Sequence, residues 1–218
     1  MNEFLHVLTD NWDIIGSHFL STIELFLIAA VGSLVLGTLL AAMRVSPVPT
    51  LRGFGTGYVL LLRNCPLTLV FALLIFAVPK LDVTIGYFES ACIALIAYTS
   101  AFVCEALRSG INTVPVGQAE AARALGMTFG QVLTLVVLPQ AFRTVVPPMV
   151  SVLNAMLKNT TIAAGFSVAE AGGILYYLNE RGENQIYTLL WVTVGFLILV
   201  IPLIALQRSL ERRWGMAR

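Results

Sequence analysis

The chain has 218 residues, 58% of them hydrophobic and only 11% charged, with a mean hydropathy of +0.87. A soluble domain with so few charges would struggle to cover its surface, whereas a bilayer accepts outward apolar side chains, so this is a membrane composition. The net charge of +1 gives no ground for nucleic-acid binding, and three cysteines with two histidines and no Cys-x-x-Cys argue against a zinc site.

The first 17 residues are acidic and lack a long apolar core, so no signal peptide is expected there. A spanning helix needs about 20 apolar residues. Ser21 to Met43 meets that, with Glu24 near its outer end as its only charge and Gly32 and Gly37 available for close helix contact. A hinge of Arg44, Pro47, Pro49 and Arg52 follows. The second span is expected from near Gly57 to Val78, carrying Arg63, Asn64 and Pro66. Gly86 to Leu107 forms the third, with Glu105 near its end. The fourth runs from Thr144 to Ala164, starting with Pro147-Pro148 and containing Lys158, and the fifth from Ile186 to Leu206. Between those two, Glu170, Gly172, Gly173, Glu180, Arg181 and Glu183 read as a loop, and the end of the chain is basic. Cys65, Cys92 and Cys104 lie in or beside apolar runs and read as reduced and structural. The expected fold is all-α: a polytopic membrane protein with about five transmembrane helices, taken as one domain over residues 1–218 because no repeat or linker interrupts it.

A polar island, residues 114–139, separates the third and fourth spans. Pro115 suits a first helical position and Ala119 to Ala124 has high helix propensity. Gly126 can close that helix as a left-handed cap. Thr128 with Gln131 makes a capping box for a second helix, flanked by Met127 and Val132, which Pro139 then interrupts. An alanine-faced helix offers a partner close backbone approach, which suits insertion into a groove on another protein. With five spans, ten basic residues fall on the side of this segment: Arg44, Arg52, Arg63, Arg108, Arg123, Arg143, Arg208, Arg212, Arg213 and Arg218. Lys80, Lys158 and Arg181 fall on the other, so the N-terminus is expected outside and both the 114–139 segment and the C-terminus inside.

Nothing in the chain resembles an ATP-binding, nucleophile-elbow or metalloprotease motif, so no catalytic or metal-ligating residue is expected and any driving force comes from a partner or an ion gradient. Charged groups at membrane depth cost roughly 2.5 to 3.5 kcal/mol each on insertion scales, which singles out Lys158, Arg63 and Glu105. Lys158, with Asn154, Thr160 and Thr161 nearby, either faces a translocation path close to a substrate carboxylate or pairs with a glutamate or snorkels outward. Pro66 removes a helical hydrogen bond, so a bend beside the path at Arg63 and Asn64 is one reading, and an Arg63 anchored at the inner headgroups is the favoured one. Glu105 and Arg108 are spaced for an ion pair on one helix face.

Glu120-Ala121-Ala122, Gly126 six residues after Glu120, and Val136-x-Leu138-Pro139 resemble the EAA motif of the membrane-spanning subunits of bacterial ABC importers, which usually have Ile where Val136 stands. Pro115-x-Gly117-Gln118-x-Glu120-Ala121-Ala122 and Leu157-Lys158-Asn159-Thr160-Thr161 narrow the resemblance to permeases for polar amino acids. It covers nearly the whole chain. The resemblance implies a cytoplasmic coupling helix, with Gly117, Glu120, Ala121, Ala122, Gly126, Leu138 and Pro139 engaging an ATPase subunit that binds the ATP and magnesium; this chain itself holds no cofactor. It also implies a second permease chain, identical or related, an extracytoplasmic amino-acid-binding protein, and the bacterial plasma (inner) membrane. The family often has Asp-Thr-Ser where Asn159-Thr160-Thr161 stands and Arg-Gly-Thr-Pro where Arg63-Asn64-Cys65-Pro66 stands. A Lys158 without the usual aspartate beside it favours glutamate or another acidic amino acid as cargo. An ion-gradient-driven secondary carrier is the alternative; it explains Lys158 and Glu105 but neither the EAA segment nor the lack of inverted halves.

Overall fold

The computed structural model describes residues 2–213, and no strand occurs among them; Arg218, counted above on the basic side, lies outside the described residues. A short helix α1 (Asn2–Asp10) leads into the long α2 (Trp12–Val45), and α3 (Pro49–Asn64) is followed by α4 (Leu67–Ala72). A π turn (Leu73–Ala77) and a 3-10 turn (Val78–Leu81) extend α4. Next come α5 (Tyr87–Asn112), α6 (Val116–Ala124) and α7 (Phe129–Gln131), which runs through a π segment (Val132–Val137) into α8 (Leu138–Asn159). Two 3-10 turns (Thr160–Phe166 and Ala171–Gly173) connect to α9 (Ile174–Glu180) and the last helix, α10 (Gln185–Arg213).

Among the described residues four runs are long and apolar enough to cross a membrane: α2, α5, the run Phe129–Phe166 and α10. A fifth crossing, if counted as one, is the pair Pro49–Asn64 and Leu67–Leu81, bent by 104°. At 1.5 Å per residue the 34 residues of α2 extend about 51 Å against a hydrocarbon core of about 30 Å, so its start at Trp12, well before Ser21, carries Asp13 and His18 beyond the apolar zone.

The second span differs most from the sequence expectation. It is two helices that break at Cys65-Pro66, where the sequence offered a bend. It begins at Pro49, which opens α3 from its first position, rather than near Gly57; the expected hinge of Arg44 to Arg52 falls at the turn between α2 and α3. The cause is local. Proline's ring drives the preceding residue out of the helical region, and Cys65 is extended at φ −96°, ψ 136°, which ends α3 at Asn64. Pro147-Pro148 does not start the fourth span either; both lie inside α8, where Val145, Pro147 and Val150 are buried. Pro139 falls just after the π segment Val132–Val137 and the helical run continues past it. A π turn pairs each carbonyl with the N–H five residues on, and such a turn precedes Pro139 where the helical run passes it.

Helix α5 is the centre of the packing, in contact with α2, α3, α4 and α8, and 61% of its most apolar window is buried against none for α10. Close approach depends on missing side chains. A Cβ on Gly37 would meet Val103 and lie 2.9 Å from the Ser100 carbonyl, and one on Gly110 would lie 3.1 Å from backbone atoms of Val145. Leu25, Ala29, Phe71, Ala94, Leu95 and Met156 join α2, α4, α5 and α8 in the largest apolar cluster.

A second tie fixes the loop after α8. Glu170, expected in a solvated loop, is fully buried (0% exposed). Its Oε1 accepts from the Gly172 N–H at 2.8 Å and its Oε2 from the Thr22 hydroxyl at 3.2 Å, while Thr22 Oγ1 accepts from the Ala171 N–H at 2.9 Å. Burial pushes its carboxyl up from 4.5 to about 7, against the opposing hydrogen bonds from Gly172 and Thr22. Because the folded chain holds this proton more tightly than the unfolded one, the stabilisation is whole below pH 4.5 and is lost as pH rises through about 7. Glu170→Gln is expected to flatten the decline in detergent melting temperature over that window; a slope as steep as in the wild type would assign it to other groups.

Candidate functional site

The 114–139 segment forms the turn its residues encode, with one shift: Pro115 caps α6 instead of occupying its first position. Its φ of −60° and ψ of 133° set up Val116 as the first helical residue. At the other end Gly126 is left-handed at φ 81°. The Gly126 N–H donates to the Arg123 carbonyl at 2.9 Å and the Met127 N–H to the Ala122 carbonyl at 3.2 Å, the paired bonds of a Schellman cap. The Thr128–Gln131 capping box is complete in both directions.

This hairpin leans back on the segment Val132–Val137, with Ala122 buried (5% exposed) between them. Its other face is open. Gly117, Glu120, Ala121 and Gly126 are exposed, as are Leu138 and Pro139. So are three large apolar side chains, Val116 at 73%, Leu125 at 84% and Phe129 at 68%. A Cβ on Gly117 would meet nothing within 4 Å, so nothing in this chain requires a glycine there.

The limbs carrying α6 are fastened together. Thr144 Oγ1 lies 3.0 Å from the Gly110 carbonyl, and the Thr113 hydroxyl donates to it at 3.0 Å, at the place where Gly110 admits Val145. The expected Glu105–Arg108 pair is present, with Arg108 Nη2 donating to Oε1 at 2.7 Å and Nε at 3.1 Å. Two further arginines join it. Arg44 Nη1 donates to Oε2 at 2.6 Å and Arg63 Nη1 lies 3.7 Å from the same oxygen. Arg63 is therefore held by a carboxylate and not only by headgroups, and Arg44, read from sequence as a hinge residue, is the most enclosed of the three. The sequence signal for Arg44 was a lone cation closing a long apolar run.

The proposed pathway residues are not gathered into one cavity. Lys158 is exposed in the last turn of α8, and among the described residues no acidic group lies within ion-pair distance of it. Thr160, expected to offer a hydrogen bond to substrate, is buried and its hydroxyl donates to the Leu157 carbonyl at 2.7 Å, because the chain tightens into a 3-10 turn there. Thr161 donates to the Lys158 carbonyl at 2.8 Å and lines a 640 Å³ cavity with His18, Gly172, Gly173 and Tyr177. Asn64 is exposed and donates to the Leu60 carbonyl at 2.7 Å. Asn154 is half-buried, and its Oδ1 is buried without a hydrogen-bond partner. A separate 300 Å³ groove between α5 and α8 is lined by Tyr98, Thr99, Phe102, Ser151 and Asn159, none of which the sequence singled out as a path residue. All three cysteines are free, and no metal-ligating cluster occurs among the described residues.

The family described as binding-protein-dependent transport system inner membrane component matches residues 33–216. The glutamate transport system permease protein GluC of Corynebacterium efficiens is 42% identical over 198 residues, covering 85% of this chain and 87% of its own length. The probable glutamine ABC transporter permease protein GlnM of Bacillus subtilis is 34% identical over 95% of this chain and 96% of its own. The glutamate/aspartate import permease protein GltJ of Escherichia coli is 34% identical over 92% and 89%. A crystal structure of an amino acid ABC transporter with histidines has the same fold, with a TM-score of 0.90 at 24% identity over 96% of this chain and 98% of that one. This chain belongs to the binding-protein-dependent transport system inner membrane components: it is a multi-pass, non-enzymatic permease subunit of an ABC importer, and ATP hydrolysis resides in partner subunits.

Proposed function

We propose that this permease imports a polar amino acid, with glutamate or another acidic amino acid as the cargo, and that α6 is the coupling helix through which ATPase subunits drive it. The observation that carries the coupling role is the open face of the 114–139 hairpin. Val116, Leu125 and Phe129 are exposed; Phe129 opens a helical run of 38 residues, about 57 Å long if straight and too long for a hydrocarbon core of about 30 Å, and Val116 and Leu125 lie on α6 before it. Apolar side chains lifted clear of lipid need a protein cover, and a glycine at Gly117 with empty space around it fits a partner that approaches the backbone closely. The excess of arginines on the same side supports an inside location for α6 and the C-terminus and an outside N-terminus.

Two permease chains enclose the path in this reading, delivered to by an extracytoplasmic binding protein and driven between inward-facing and outward-facing states by the ATPases. The cargo assignment draws on Lys158, an exposed cation without an acidic partner among the described residues, and on relatives whose names specify glutamate or glutamine.

The test is purification of the tagged chain from its native membrane with its partners. An ATPase subunit is expected to co-purify, and Glu120→Ala to weaken its recovery; the chain recovered alone, with uptake following an imposed ion gradient without ATP, would support a secondary carrier instead. Gly126→Val forces a branched residue into φ 81° and is expected to weaken docking or coupling, measured as ATP-coupled uptake in proteoliposomes. Lys158→Met is expected to retain assembly and reduce uptake; loss of assembly without a transport-specific defect would make Lys158 structural. Acidic amino acids are expected to outcompete basic ones for the partner binding protein, and the reverse order would overturn the cargo.

A further inference from the structure

Glu105 gathers three guanidiniums from three helices. Arg44 of α2 and Arg108 of α5 hold it at 2.6 and 2.7 Å, while Arg63 of α3 stands off at 3.7 Å, beyond hydrogen-bond distance. The exposures follow the same order. The Arg44 side chain is 13% exposed, the Arg108 side chain 40% and the Arg63 side chain 44%. Gly55 explains why Arg44 is so enclosed, since a Cβ there would lie 2.9 Å from Arg44 Cγ and the α3 backbone therefore lies on the arginine stem.

One carboxylate cannot neutralise three cations. Arg108 donates twice to Oε1 and Arg44 once to Oε2, and the third guanidinium feels repulsion from the other two as well as attraction to Glu105. Arg63 takes its remaining support from the Phe102 ring, 5.8 Å from its centroid. It is the member that can part at least cost, and it sits at the end of α3, two residues before Cys65 and the 104° break.

The other end of this link reaches α6. Glu105 is on α5 just before Gly110, where Thr113 and Thr144 fasten α5 to α8 on either side of the hairpin. A push on α6 therefore moves the ends of α5 and α8 together and carries Glu105 with them. We propose that the Arg63–Glu105 pair is the joint that passes displacement of α6 to the break in the second span, altering the angle between α3 and α4 as the transporter changes state. Arg63 and Glu105 are positioning residues in this scheme, which rests on the coupling role assigned to α6 above.

Cys65 supplies a native reporter, because it is half-buried at the break while Cys92 and Cys104 are buried. The experiment uses the whole transporter in proteoliposomes with its binding protein. It measures maleimide alkylation of Cys65, mapped by peptide mass spectrometry, without nucleotide and with ATP, magnesium and vanadate, together with uptake per ATP hydrolysed. In the wild type the alkylation rate is expected to change several-fold between the two states. Arg63→Met is expected to retain ATP hydrolysis, lose that nucleotide dependence, and fall about tenfold in uptake per ATP. Arg63→Lys, which restores the charge, is expected to recover much of both. Phe102→Leu, which withdraws the ring and no charge, gives an independent route if Arg63→Met does not assemble, and is expected to weaken the nucleotide response. A wild-type Cys65 that ignores nucleotide, or a response in Arg63→Met or Phe102→Leu equal to the wild type, overturns the joint while leaving ATP-driven uptake intact. Absence of ATP-driven uptake in the wild type overturns the coupling role of α6 and the joint with it.

Discussion

Close approach of α5 to its neighbours is the constraint on which the other features rest. In lipid no hydrophobic force draws one apolar helix to another, so association depends on dispersion contacts that only small residues at the seam permit. Gly37 brings α2 against Ser100 and Val103, and Gly110 brings α8 against α5 from the other side. Tyr58 then locks α3 to the same helix, its hydroxyl donating to the Ala97 carbonyl at 2.8 Å and sharing a 3.1 Å hydrogen bond with Ser100. With α5 held on three sides, Glu105 and the point where the chain leaves for α6 are set by one rigid element.

That rigidity gives the polar groups at membrane depth different meanings. A charge in a bilayer must be paired, hydrated or brought to the interface. Glu105 is paired several times over and holds helices to one another. Lys158 has no acidic partner among the described residues and leaves the helix surface exposed, which is costly in hydrocarbon and inexpensive beside water or a substrate carboxylate. Glu170, in the loop after α8 and outside the spans, is instead buried and met by Thr22 and Gly172, and its carboxyl is a hydrogen-bonding tie between that loop and α2.

Local chemistry made the coupling turn legible. Pro115, Gly126, Thr128 and Gln131 act on backbone groups within a few residues of themselves, so caps read from spacing appear in the structure with a one-residue shift at Pro115. The spans were legible for a related reason, since run length against bilayer thickness requires no tertiary knowledge. What escaped depends on neighbours far along the chain. Pro66 announces a break, but the 104° angle is set by how α3 and α4 pack on α5. Glu170 sits among polar loop residues in sequence, and only the approach of Thr22, 148 positions away, makes it a buried tie. Thr160 and Thr161 are adjacent and chemically alike, yet as the first two residues of the 3-10 turn that follows α8 they point apart, one buried and the other lining a cavity.

The distribution of prolines shows that one residue type has opposite effects on the helices of this chain. Pro66 drives Cys65 into the extended region, and the helix breaks. Pro139 follows a π segment, and Pro147 and Pro148 lie where α8 is packed, and the helical run persists through all three. The same residue type thus ends a helix in one setting and is absorbed in another, according to whether the neighbouring backbone groups find partners. The run that follows α6 from Phe129 thus stays helical past Pro139, Pro147 and Pro148, while the second span is interrupted at Cys65-Pro66.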